Sequence, residues 1–213
     1  VNFEFIDETV FLPEDCKNME RDVQSLHRAE SGQFECRIYK WHEPWVTIGR
    51  FQTPDDVLGS HPKRYLVRPT GGGAIVHGHD YTLAMTGPRE SLAISPHQIY
   101  RKVTEPIREA LADCDLQTCL GEEVGFVKSA GQTIDCFARV GNFDIVEASS
   151  EVKICGCAMK LTKVAFLIQL SIPCCQPLVD YGDWISGARA HQVVPWDHEE
   201  FPATLRKCVS RSQ

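Results

Sequence analysis

Apolar residues recur every three or four positions through Met19, Val23 and Leu26, within an otherwise polar stretch over residues 14–29. That period predicts an amphipathic helix with one face toward a core. A second helical pattern runs through Ile99, Val103, Ile107 and Leu111, and Ser95-Pro96 before it reads as a cap and a first-turn proline. Residues 201–209 predict a closing C-terminal helix. Strand patterns cover 65–68 and 74–77 on either side of three glycines, and 143–146 and 152–158 on either side of Ser149-Ser150, a hairpin. Residues 164–172 form one apolar run of strand length, too short to cross a bilayer. Over 116–134 no period is visible, and Gly121, Gly125 and Gly131 suggest strand fragments and loop. The expected class is α/β of the α+β kind: a mostly antiparallel mixed sheet flanked by helices.

Composition narrows this only slightly. The 213 residues suit one domain spanning 1–213. A net charge of −7 argues against broad nucleic-acid binding, which wants a basic surface. A local basic patch over residues 62–68 is still open as a site for an acidic partner, and a solvated charged turn describes it equally well. No secretion signal is legible, so a cytoplasmic protein is expected, although a leader removed before Val1 would leave no trace. The ten cysteines include Cys155-x-Cys157 and Cys174-Cys175. Without Cys-x-x-Cys or a spaced histidine pair, they predict no metal site, and most read as buried thiols.

Chemistry concentrates in two segments. The first is Arg68-Pro-Thr70-Gly71-Gly72-Gly73-Ala-Ile-Val-His77, with Thr82 five residues on. Three glycines between strands let backbone approach a ligand closely, and Arg68 adds a charge suited to phosphate or carboxylate; a flexible hairpin turn is the other reading. Neither nucleotide-binding glycine fingerprint fits. The second segment runs from Cys136-Phe through Asp144 to Lys153-Ile-Cys-Gly156-Cys-Ala158 and Gln169-Leu-Ser-Ile172.

Together these segments resemble the lipoate–protein ligase and octanoyltransferase family, within the biotin/lipoate protein ligase superfamily. The matching motifs are Arg-Pro-Thr-Gly-Gly-x-Ala-x-x-His and Lys-x-x-Gly-x-Ala, with a weaker match at residues 38–41 and 48–52. Two departures stand out: Val67 where many relatives have a second arginine, and Gln169-Leu where relatives of the cysteine-bearing type have His-Gly. The resemblance implies a biotin/lipoate ligase type of catalytic domain. It also implies amide formation on a lysine of a lipoyl-domain protein, either a glycine-cleavage H protein or a 2-oxoacid dehydrogenase subunit.

Two chemical routes follow from the resemblance. In the transferase route a cysteine takes octanoyl from an acyl carrier protein thioester and passes it on, with no cofactor. In the ligase route ATP and Mg activate free lipoate as an adenylate. Cys136, eight positions before Asp144, matches the nucleophile loop of the transferases. Lys153 is the implied partner that stabilises a thiolate and an oxyanion. Lowering a thiol pKa of about 8.5 by about 1.5 units would take about 2 kcal/mol. Arg68, Thr70, Gly71, Gly72, Gly73 and His77 are expected around the acyl carbonyl or phosphate end, and Gly156 and Ala158 beside the acyl chain. Strict strand alternation puts Lys153 on the face opposite both of them, unless a bulge intervenes. Only about forty residues follow Ile172, which suggests no fused accessory domain. A ligase with a separate accessory chain and a non-catalytic acyl-binding module are the alternatives.

Overall fold

A computed structural model describes residues 3–10, 14–60, 64–89, 95–124, 133–189 and 191–211. Its strands are β1 (Glu4–Glu8), β2 (Glu35–Tyr39), β3 (Trp45–Ile48), β4 (Tyr65–Val67), β5 (Ile75–His77), β6 (Asp80–Pro88), β7 (Thr118–Leu120), β8 (Ile145–Glu147), β9 (Lys153–Leu161) and β10 (Ala165–Pro173). The helices are α1 (Asn18–Glu30), α2 (Pro54–Val57), α3 (Pro96–Asp113), α4 (Tyr181–Trp184) and α5 (Phe201–Arg211). A seven-stranded sheet runs β1-β2-β6-β10-β9-β8-β7, and a three-stranded sheet runs β4-β3-β5. Among the described strands only β1–β2 and β3–β4 pair in parallel. The mostly antiparallel sheet flanked by helices is the architecture expected from the sequence.

Alternation along the two long central strands separates core from site. In β10, Phe166, Ile168, Leu170 and Ile172 face α3 and α5, where they join Leu83 and Met85 of β6 in the main core. The opposite face meets α1. There Leu26 and Ala29 pack on Ala84, Ala165 and Leu167, and further along the same face the residues turn polar: Gln169, Ser171, Thr82 and Asp80, all buried. Helix α3 opens on a capping box, with Ser95 Oγ accepting from Gln98 N–H and the Gln98 side chain accepting from Ser95 N–H.

Three expectations change. The first helix begins at Asn18, after a 3-10 turn at Asp15–Lys17. Its buried face carries Asn18, Asp22 and Ser25 beside Met19, Leu26 and Ala29, because it lies against the polar half of the sheet. The glycine run is not a hairpin turn, since β4 and β5 pair on opposite sides of β3 and never with each other. The basic patch at 62–68 does not form as a patch among the described residues. Arg64 is paired with Glu43, Arg68 is buried, and residues 62 and 63 lie outside the description. The 149–150 hairpin is present, with β8 and β9 antiparallel. Of 116–134, β7 and a 3-10 turn at Gly121–Glu123 are described, whereas 125–132, with Gly125 and Gly131, lie outside. No helix among the described residues is long and apolar enough to cross a membrane.

Candidate functional site

The glycine run becomes a loop held from inside by Arg68. Its guanidinium donates to the Thr47 carbonyl at 2.9 Å and hydroxyl at 2.8 Å, and to the carbonyls of Gly71 at 3.1 Å and Gly73 at 2.7 Å. Burial pulls the Arg68 pKa down, yet four carbonyl and hydroxyl acceptors satisfy its fork. Arg68 therefore sets the shape of the loop and does not extend a free cation toward an anion. A Cβ on Gly73 would fall 2.6 Å from the Cys136 nitrogen. That absence of a side chain lets the cysteine segment pair directly with Ala74, whose carbonyl accepts from Cys136 N–H at 2.9 Å.

Cys136 starts a 3-10 turn, Cys136–Ala138, capped by Asp135, which accepts from Phe137 N–H. Lys153 Nζ lies 3.6 Å from Cys136 Sγ and donates to the carbonyls of Cys136 at 2.7 Å and Arg139 at 3.1 Å. It also forms an ion pair with Asp144 at 2.7 Å, both side chains buried. Asp144 in turn accepts from the amides of Gly141 and Cys157. A bulge brings Lys153 here. Ile145 pairs with Cys155 and Val146 with Lys153, so β9 advances two residues where β8 advances one. The extra residue reverses alternation and returns Lys153 to the face of Gly156. A Cβ on Gly156 would stand 2.9 Å from Cys136 Sγ and 3.4 Å from Lys153 Cε.

The electrostatics differ from the expected activated thiolate. Burial pushes the Cys136 thiol above its ordinary range, against the pull of Lys153. Burial also opposes charge on Lys153, but the neighbouring sulfur and Asp144 hold the ammonium above the usual lysine range. The resting pair is a thiol beside a charged lysine. The ammonium is partly neutralised by Asp144, so it cannot by itself overcome desolvation of the sulfur.

Behind this pair, His77 is fully engaged. Its Nδ1 is 2.8 Å from Asp80 and its Nε2 2.8 Å from the Thr47 hydroxyl, and Trp41 stacks on the ring at 4.5 Å. Asp80 also accepts from Ser171 and Thr82. Although burial disfavours its charge, His77 and these hydroxyls hold Asp80 well below the usual carboxylate range. Thr70 donates to Gln169, and Gln169 donates to Asp22 at 2.6 Å. Asp22 also receives Arg37 and Tyr39. Arg37, fully buried, spreads its fork over Glu8, Asp22 and Asn18.

A cavity of about 30 Å³ joins these parts, with Arg68, Gly72, His77, Cys136, Gly156 and Ala158 among the residues that line it. It has room for little more than one water. An acyl chain lying beside Gly156 and Ala158, as the resemblance implies, must therefore part the side chains to enter. Among the described residues no group of three or more His, Cys, Asp or Glu side chains is arranged to hold a metal. None of the ten cysteines is in a disulfide: four are buried, four half-buried, and Cys16 and Cys175 exposed.

The profile of the lipoyl protein ligase A/B catalytic domain matches residues 14–195. The chain belongs to that family. Among curated relatives, octanoyltransferase LipM of Oceanobacillus iheyensis is 29% identical over 168 residues, 73% of this chain and 59% of the relative. LipM of Halalkalibacterium halodurans is 25% identical over 148 residues, 64% of this chain and 52% of the relative. The chain thus spans just over half the length of the relatives it matches. Solved structures share the fold. The bi-partite lipoate protein ligase of Thermoplasma acidophilum aligns with a TM-score of 0.70 at 18% identity, covering 100% of this chain and 84% of that one. Lipoate-protein ligase A bound with ATP aligns with a TM-score of 0.70 at 18% identity, covering 99% and 83%.

Within this lipoyl protein ligase A/B catalytic domain, Arg68, Gly72, His77, Cys136, Gly156 and Ala158 line one cavity, with Lys153 against the sulfur. Thr70 reaches it only through Gln169. Gly71 lies toward the exposed ring of Phe51, and Gly73 toward the cysteine backbone. Sequence reasoning overlooked Asp80, Thr47 and Asp22 as partners, and used Asp144 only as a register mark. Period-two alternation through Gln169 and Ser171 was the available signal for a polar face.

Proposed function

We propose that this domain transfers an octanoyl, or lipoyl, group from the thioester of an acyl carrier protein to a lysine of a lipoyl-domain protein, through a thioester on Cys136. The observation that carries this reading is Lys153 Nζ at 3.6 Å from Cys136 Sγ, beside a small cavity that Cys136 lines and where Gly156 puts no side chain against the sulfur. The kinship with proteins named octanoyltransferase supports it. Cys136 attacks the donor carbonyl, its C–S bond forms, and the carrier thiol leaves with the proton. Lys153 serves as the charge beside the tetrahedral oxyanion, and matters most in the transition state, when charge develops next to it. His77, Asp80 and Arg68 act as positioning residues for the loop.

An ATP-dependent ligase is the second reading, favoured by the shared fold of the lipoate ligases. It would need cations free to meet the phosphates. Arg68 is committed to loop carbonyls, and Lys153 to Asp144 and two carbonyls. With both cations so committed, the described residues fit ATP poorly. Intact-mass measurement after incubation with octanoyl–acyl carrier protein, without ATP, should show one hydroxylamine-labile octanoyl adduct that Cys136→Ser lacks. Lipoylation of acceptor from ATP and free lipoate by Cys136→Ser, with no adduct on the parent chain, would overturn the transferase reading.

A further inference from the structure

Two open grooves flank the segment that leads into Cys136, and Thr133 and Ile134 form the wall between them. One, about 510 Å³, is lined also by Phe51, Thr53, Asp56, Gly72 and Gly73. The other, about 500 Å³, is bounded by residues 186–189 and His191. Their charges differ. Asp56 lines the first and Asp55 adjoins it, both exposed. The second is lined by Arg189, which is exposed, and by Asp135, which is buried so that its charge is disfavoured.

We propose that the acidic groove is the docking surface for the lysine-bearing acceptor, and that its amine meets the acyl group across Gly72 and Gly73. This rests on the acyl-transfer reading above. Gly72 lines both the groove and the cavity of Cys136, so the partition between them there has no side chain. The approaching lysine is a cation at neutral pH, with an ordinary pKa of about 10.4, and carboxylates at a cleft raise the local concentration of cations. The rims suit a protein partner. Phe51 is 71% exposed and Ile134 44% exposed, and Phe51 carries the Arg50 guanidinium 4.5 Å from its ring. Exposed apolar groups concentrated at a groove mark contact surfaces, and aromatic and arginine side chains are enriched in them. In the step itself the neutral amine nitrogen attacks the thioester carbonyl and a C–N bond forms. The C–S bond to Cys136 breaks, and one amine proton ends on the sulfur, leaving amide and thiol.

The test uses the whole chain and an unacylated lipoyl domain carrying its lysine. Binding is followed by fluorescence anisotropy, and discharge of preformed octanoyl-enzyme is followed against acceptor concentration. Asp56→Lys and Phe51→Asp should each weaken binding, and raise the half-saturating acceptor concentration, by about fivefold or more, and Asp56→Lys should flatten the salt dependence. Arg189→Glu, a charge change of similar size on the other groove, should stay within about twofold. Binding within twofold of the parent in both groove variants, with melting temperatures unchanged, would overturn the proposal, as would a larger effect from Arg189→Glu. The binding arm needs no acyl-enzyme. If the parent takes no octanoyl from the thioester, the transfer reading falls, while the binding data still decide the groove.

Discussion

Replacing Lys153 by methionine should separate its two roles. The ammonium lies 3.6 Å from Cys136 Sγ, which at an effective dielectric near 20 corresponds to roughly 4–5 kcal/mol of attraction to a full thiolate. Asp144 at 2.7 Å from the same nitrogen offsets part of this, so a net loss of about 3 kcal/mol is reasonable, or about 10² in rate. The perturbation also leaves Asp144 as a buried carboxylate without its cation, costing about 3–5 kcal/mol of stability. Adding Asp144→Asn should recover most of the stability, because the buried charge is gone, while acylation stays slow. Quenched intact-mass time courses with octanoyl thioester give the rate, and urea melts give the stability. The thiol pKa follows from the pH dependence of iodoacetamide alkylation. Burial already raises it and the ammonium opposes that rise, so the alkylation midpoint must move further up when the ammonium is removed. Acylation of folded Lys153→Met within tenfold of the parent, or a midpoint that falls, would refute the reasoning.

Gly156→Ala puts a methyl 2.9 Å from the sulfur and should cut acylation at least about tenfold, at an overpacking cost of about 1–3 kcal/mol seen by melting. Arg37→Ala leaves Asp22 buried without its cation, while Glu8 keeps Arg21, and a loss of about 3–5 kcal/mol is expected in urea melts. The depressed Asp80 pKa makes its stabilisation full above the unfolded value near 3.9 and lost as pH falls toward the folded value. Asp80→Asn should therefore be less stable at pH 7 and should flatten the stability profile between about pH 5 and 2, measured by thermal melts.

Helices α3 and α5 were legible because each carries a periodic apolar face, and β10 as an apolar run of strand length, whereas β6 was not read at all. Ile99, Val103, Ile107 and Leu111 all lie in the core, and Ser95 caps their helix as its sequence implies. Helix α1 was legible as a helix but not in which face it buries. Its Asp22 and Asn18 are inside because Arg37 and Gln169 meet them there, and no local pattern announces partners fifteen or more residues away. The candidate site was found from motif spacing, and six of its expected residues do line one cavity. What spacing could not show was direction. An arginine before three glycines suggested an anion site, whereas a buried guanidinium takes the nearest carbonyls when the loop folds over it.

The position of Lys153 shows most clearly where one-dimensional pattern stops. Alternation along 153–158 places the lysine opposite Gly156, and only an extra residue relative to the partner strand can bring it back. Nothing in residues 152–158 marks that bulge, because its cause lies across the sheet. Asp144 precedes β8, bonds the amide of Cys157 at 3.0 Å and pairs with the lysine at 2.7 Å, so both strands are pinned at one carboxylate. The same contact draws the ammonium to the carbonyls of Cys136 and Arg139, closing the cysteine turn around it. Asp144 thus fixes where Lys153 sits and also weakens what Lys153 can do for the resting thiol. The arrangement favours charge that develops at the sulfur and the acyl oxygen during reaction over a standing thiolate, which would also be open to oxidation.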